Sequence, residues 1–283
     1  RNILTSAVEH DAVLAACPDA HIIEVDKSGL IRLDQLESAL DAISDADRAK
    51  TLVSVMAANN ETGVIQPIEA VADLCSVYNV ACHSDMIQYL GKLPIELSQM
   101  KLKFASFSAH KLGGPSGVGA LYCRDGQQLV SLLRGGGQEQ GRRAGTENLP
   151  GIIGFGAAVA AHDIDNINVQ TSWRDEMEAD IQQACPEIEV MGAGAPRLAN
   201  TSALYLPQLS AQKAVMLLDL SGFAVSAGAA CSSGKVKNSH VITAMARDDA
   251  AANVIRISAG WQSTKAEWIG VAKAIIEIYK AHN

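Results

Sequence analysis

The chain has 283 residues, of which 48% are hydrophobic, 19% charged and 4% aromatic, with 23 Gly and 8 Pro; this composition excludes a disordered tail, a collagen-like repeat and a disulfide-stapled miniprotein. The length allows one large domain or two modest ones and is ample for a proper core. A formal net charge of −8, from 31 acidic and 23 basic residues without a basic cluster, argues against a nucleic-acid-binding face.

In chain order, the first residues (2–6) read as a strand, so an N-terminal portion of the protein is expected to precede Arg1. Residues 51–56 (Thr-Leu-Val-Ser-Val-Met) read as a buried strand, and the apolar positions 68, 71, 74, 75 and 78 that follow have helical spacing. Residues 80–84 form another strand ending at Asp85, and 104–108 and 118–123 are strands on either side of a glycine-rich bend. This strand–helix alternation indicates an α/β domain with a mainly parallel sheet, in which ligands sit at the carboxyl ends of the strands. The most apolar stretch, 151–161, is too short and too glycine-rich to span a bilayer, which takes ~20 residues. A polar, acidic helical segment over 162–184 comes next, followed by short strands at 204–206 and 254–258 and a closing amphipathic helix over 266–281. A boundary near residue 163 divides a large domain, 1–163, from a smaller α+β C-terminal domain, 164–283. No secretory signal opens the chain, and the six cysteines (17, 75, 82, 123, 185 and 231) lack C-x-x-C spacing, which argues against a zinc ribbon or a disulfide framework. A cytoplasmic protein that neither spans a membrane nor binds nucleic acid is expected.

Lys111 follows a strand end and precedes Gly113 and Gly114, and Asp85 ends its own strand with Gln88 three residues on. In a parallel sheet both ends lie on the same edge. An acid and a lysine there fit pyridoxal phosphate, with the lysine as its Schiff-base partner and the carboxylate keeping the ring nitrogen protonated, so that the ring accepts electrons from a substrate α-carbon. Ser108 and His110 flank the lysine as hydrogen-bond donors for the phosphate. The Asp–Lys pair alone does not decide, because many folds place both residues at strand ends.

Eight motifs occur in order: Glu9-His10; 58–63 (Ala-Asn-Asn-Glu-Thr-Gly); 83–85 (His-Ser-Asp) with Gln88; 108–111 (Ser-Ala-His-Lys); 135–139 (Gly-Gly-Gly-Gln-Glu); 143–148 (Arg-Ala-Gly-Thr-Glu-Asn); 230–234 (Ala-Cys-Ser-Ser-Gly); and 256–258 (Arg-Ile-Ser). The series resembles the cysteine desulfurases of the NifS/IscS type, class-V aminotransferase-like enzymes, essentially from end to end. The resemblance implies the pyridoxal-phosphate-dependent transferase (aminotransferase type I) fold, with the N-terminal part of the family fold missing from the given chain. It implies Lys111 as Schiff-base lysine and α-carbon acid–base group, Asp85 as pyridinium partner, Gln88 as donor to the phenolic oxygen, and His10 as the imidazole stacked on the ring. Asn60 and Arg256 would clamp the substrate carboxylate, for which the planar guanidinium fork is suited. Ser108, His110 and Thr146 would contact phosphate, Thr146 across to a partner subunit's cofactor.

Cys231 lies among small residues, with Lys235 and Lys237 nearby. Such a segment reads as a mobile, exposed loop in which positive charge favours the thiolate, and the resemblance makes Cys231 the persulfide-forming cysteine. Cys75 and Cys82, on apolar faces, and Cys123, at a strand end, read as structural. The expected activity is conversion of L-cysteine to L-alanine, with sulfur passed to an acceptor or scaffold protein for iron–sulfur clusters or thiolated cofactors, by a homodimer. Two alternatives stand beside it. One is a selenocysteine lyase or other α-carbon enzyme of the same fold. The other is a catalytically silent partner-binding module, suggested because the family's glycine/threonine phosphate turn precedes the Glu-His motif and lies outside the given residues. The sequence also departs from the family pattern at Ser116, Gln140, Ala227, Ala229 and 260–264 (Gly-Trp-Gln-Ser-Thr), which bears on the substrate loop and partner details.

Overall fold

A computed structural model describes residues 2–127, 129–228 and 238–282. Short apolar runs become the strands of a first sheet: β1 (Asn2–Ser6), β2 (His21–Ile23), β3 (Thr51–Ser54), β4 (Ala81–Asp85), β5 (Phe104–Ser108) and β6 (Gly119–Cys123). Their spatial order is β2-β1-β3-β4-β5-β6, parallel throughout except for the antiparallel pair β5–β6. Parallel neighbours need crossovers; helices supply most of them, α1 (Asp11–Leu14) between β1 and β2, α2 (Leu33–Asp41) and α3 (Asp45–Arg48) before β3, and α4 (Ile68–Val77) between β3 and β4, while β4 and β5 are joined by a run of turns. Val53, Val55, Ala105, Leu36, Leu40 and Val71 pack into the first core between sheet and helices.

After β6 the chain runs into α5 (Leu149–Ala161), α6 (Ile164–Asn168) and α7 (Gln170–Ala184). The helical segment expected over 162–184 is thus two helices. Asp163 caps the start of α6 by accepting from the N–H groups of Asp165 and Asn166, which separates it from α5, and the division from α7 falls at Val169, whose N–H bonds Asp165 O and Ile167 O. A second, antiparallel sheet follows, made of β7 (Glu189–Val190), β8 (Thr201–Tyr205), β9 (Ser226–Ala227) and β10 (Val254–Ser258) in the order β7-β8-β10-β9. Interleaved with it are α8 (Ala211–Leu220) and α9 (His240–Ala244). The closing helix α10 (Lys265–His282) buries Trp268, Val271, Ala272, Ile275 and Tyr279, the i, i+3, i+4, i+7 stripe of an amphipathic helix, in the second core.

A third apolar cluster joins the two halves, bringing Val8, Val25 and Met56 against Met191, Ala203, Val241 and Val254. The buried fork of Arg197 onto Glu178 (2.6 and 2.7 Å), with Ser202 donating to the same carboxylate, reinforces the second half. Among the described residues no helix is long and apolar enough to cross a membrane, and no group of His, Cys, Asp or Glu side chains is arranged to hold a metal ion.

Candidate active site

Because β4 and β5 are parallel, their carboxyl ends adjoin, and Asp85 sits in register with Ser106. β5 runs directly into a 3-10 turn, Ala109–Leu112, that carries His110 and Lys111 and is ended by Gly113 in the left-handed region (φ 75°). After β1, His10 caps the four-residue α1. Its Nδ1 accepts from Ala12 N–H (3.1 Å), so the ring proton of the neutral imidazole resides on Nε2. The loop after β3 is folded by Asn59, whose Oδ1 accepts from the N–H groups of Glu61 and Thr62 (both 2.9 Å), setting Asn60 at the rim. From the second sheet, β10 supplies Arg256, which donates to the Asn60 carbonyl at 2.8 Å.

These elements enclose a cavity of about 300 Å³. His10, Asn60, Asp85 and Gln88 line it, as do His110, Lys111 and Arg256, with Met56 and Ile87 as apolar wall. Seven of the ten residues singled out in the sequence are therefore in one place. Ser108 adjoins through its hydroxyl, 2.6 Å from His110 Nδ1. Thr146 is exposed, in the segment before α5, and is not part of the lining. Cys231 lies outside the described residues.

The electrostatics of the cavity are set by burial. Asp85 is 8% exposed, and desolvation raises its carboxyl above the usual range, opposed by the Ile87 N–H on Oδ1 (2.9 Å) and by His10. Behind it, fully buried Glu9 accepts from Met56 N–H (2.6 Å) while its second oxygen has no partner, and burial, reinforced by the nearby Asp85 charge, pushes its carboxyl well up despite that hydrogen bond. Glu61, raised by burial, accepts from the Ser239 hydroxyl at 2.5 Å. Two residues of the surroundings were not singled out in the sequence. His83, within the His-Ser-Asp motif, is bonded by Ser54 and Ser106. Lys92 donates to Gln88 at 2.6 Å, and its only sequence signal is its position four residues after Gln88.

The donor set fits pyridoxal phosphate. Asp85 Oδ2 meets no protein donor among the described residues, Lys111 has no carboxylate partner there, and the buried Nε of Arg256 is unpaired. A carboxylate, an amine and a guanidinium left open around one cavity match a cationic ring nitrogen, an aldehyde and a substrate carboxylate respectively.

Comparison with known proteins agrees with this geometry. The family described as aminotransferase class-V matches residues 1–268. A cysteine desulfurase of Klebsiella pneumoniae is 42% identical over 257 residues, covering 87% of this chain and 62% of that protein. A cysteine desulfurase of Cereibacter sphaeroides is 41% identical over 276 residues, 94% of this chain and 70% of its own length. The X-ray structure of a NifS-like protein from Rickettsia africae ESF-5 superposes with a TM-score of 0.88 at 32% identity, over 99% of this chain and 76% of that one. The chain thus spans roughly two thirds of the length of these relatives, 62% of the first and 70% of the second. With its β4–β5 edge, its Asp85–Lys111 cavity and this extent of likeness, the chain belongs to the aminotransferase class-V family, among the cysteine desulfurases of the NifS/IscS type.

Proposed function

We propose that the protein is a pyridoxal-phosphate-dependent cysteine desulfurase that converts L-cysteine to L-alanine, leaves the sulfur as a persulfide on Cys231, and delivers it to an acceptor or scaffold protein for iron–sulfur cluster or thiocofactor assembly. The single observation that carries this reading is the convergence of His10, Asp85, Gln88 and Lys111 from the first sheet with Arg256 from the second on one cavity.

When bound, pyridoxal phosphate supplies an electron sink for the electrons left at the substrate α-carbon. The chain's own residues do the rest. Asp85 Oδ2 would hold the proton on the ring nitrogen; its burial without a cation raises the carboxyl, and a cationic N–H is the partner that brings it back down. Lys111 Nζ would take the covalent linkage and then move the proton at the α-carbon. Gln88 would donate to the phenolic oxygen, and His10 would stack on the ring with its Nε2 proton available. Ser108 and His110, already bonded to each other, would bind phosphate, with Thr146 serving a partner subunit's cofactor in a homodimer. Arg256 and Asn60 would hold the substrate carboxylate. The thiolate of Cys231 would attack the substrate sulfur, the carbon–sulfur bond breaking as the sulfur–sulfur bond forms and alanine leaving. The reading places the enzyme in the cytoplasm, with domains 1–163 and 164–283 meeting at the cavity.

In the protein loaded with pyridoxal phosphate, Cys231→Ala is expected to cut alanine and sulfide output by at least ~100-fold, about 2.7 kcal/mol of barrier. Unchanged output would remove Cys231 from the reaction. Borohydride should fix the cofactor to Lys111; a chain that stays colourless with added cofactor would overturn the whole reading.

A further inference from the structure

Lys92 lies outside the cavity lining, one turn beyond Gln88 in the bend that follows β4, where Leu90 N–H bonds Met86 O and Lys92 N–H bonds Tyr89 O. Lysines in such bends ordinarily reach water. This one is only partly exposed, has no carboxylate partner among the described residues, and spends its ammonium on one acceptor, Gln88 Oε1, at 2.6 Å. A primary amide presents oxygen and nitrogen on opposite sides of its carbon, so an oxygen held by Lys92 turns the NH2 group the other way. Gln88 lines the cavity, and its Nε2 has no protein acceptor among the described residues.

We infer that Lys92 is a positioning residue: its ammonium fixes the Gln88 amide with the NH2 turned into the cavity and adds a positive charge behind it, so that the site favours an anionic oxygen, the phenolate of the bound cofactor. The inference rests on the cofactor reading given above. Burial, together with the cations Lys111 and Arg256, brings the Lys92 amine down to about 8. A charge kept at that cost, with no carboxylate to offset it, is expected where the charge itself is used. The other ionisable groups around the same cavity are His10, Asp85, His110, Lys111 and Arg256, none of which bonds the Gln88 oxygen.

The test is a pH titration of the visible absorbance band of the chain loaded with pyridoxal phosphate, without substrate. A site that stabilises the phenolate lowers the pH at which the linked cofactor loses its proton. Lys92→Met keeps the length of the stem and removes charge and donor, so the midpoint should rise by about one pH unit, a tenfold change in proton affinity. Lys92→Arg, which keeps both, should hold the wild-type midpoint; where the Met variant does not fold, Lys92→Gln takes its place. A Lys92→Met midpoint equal to wild type, with the band intact, overturns the inference and leaves the cofactor reading standing. A wild-type chain that never develops the band overturns that reading and the inference with it.

Discussion

The imidazole of His83 is shared between two hydroxyls, Ser54 Oγ on its Nδ1 and Ser106 Oγ on its Nε2, each at 2.8 Å, so that one side chain on β4 ties together the strands on both sides. Burial alone pushes it down from the ordinary 6.5 to about 4. In the unfolded chain the same ring takes a proton near pH 6.5, so between those values the unfolded state binds more protons and stability falls as the pH drops. The contribution is fully present above 6.5 and is lost as the pH falls toward 4, by about 3 kcal/mol if the shift is fully expressed. Denaturant unfolding at pH 7 and pH 4.5 should show this loss, and His83→Asn should reduce the difference between the two pH values. The raised carboxyls of Glu9, Asp85 and Glu61 work in the opposite sense, so the difference between wild type and variant is the quantity that isolates His83. At this scale the sequence singles out His10, Asp85, Gln88, Lys111 and Arg256, which the fold brings to one cavity, because each sits in a short motif. It was silent on Lys92, because a bond between residues four apart inside a bend leaves no periodic trace.

Among the elements, the loop between β3 and α4 joins the two halves. Gly63 adopts φ 75°, its carbonyl accepts from Leu198 N–H at 2.8 Å, and a Cβ built on it would lie 2.9 Å from Thr201 Cβ on β8. Gly63→Ala therefore meets both a left-handed backbone cost of about 1–2 kcal/mol and a clash with a fixed strand. The expected result is a lowered denaturation midpoint with an unchanged slope, a loss of at least that free energy; a midpoint equal to wild type would show that the loop can move away from β8. Strands such as β5 and β10 were readable as unbroken runs bounded by turns, and α10 as a full apolar stripe. Elements that went unread have little to read. β2 has three residues, two of them exposed, and α2 commits only Leu36 and Leu40 to the core. The partition of 162–184 into two helices falls at Val169, an apolar residue with helical backbone angles that carries no breaker signal in the sequence.

For the molecule as a whole, the proposed homodimer has a concrete surface to use. Beside α5, Leu132 is 95% exposed and lines one groove with Val130, Leu133 and Ile152, each also exposed, a grouping that a lone chain rarely leaves in water. Light scattering should return roughly twice the 29.8 kDa of the chain, and Leu132→Glu should shift the mass toward one copy at low concentration; a single-copy mass for wild type at high concentration would remove the dimer. Fold class and the crowding of motif residues at one sheet edge were legible from alternation of strands and helices. That the second sheet reaches into the first one's cavity is implied only by the resemblance, through Arg256, because it depends on how β10 packs rather than on any local pattern.

That reach has a thermodynamic corollary. Arg256 lies on β10 of one sheet and Lys111 in the turn that leaves β5 of the other, yet both face the same 300 Å³ space. Any molecule gripped by the two at once becomes a staple between separately built cores, and its affinity counts toward their mutual adhesion: a hundredfold excess over its dissociation constant adds about 2.7 kcal/mol to the folded state. Occupied, the halves should melt as one body; empty, they are held together only by the contacts that sequence has provided between them.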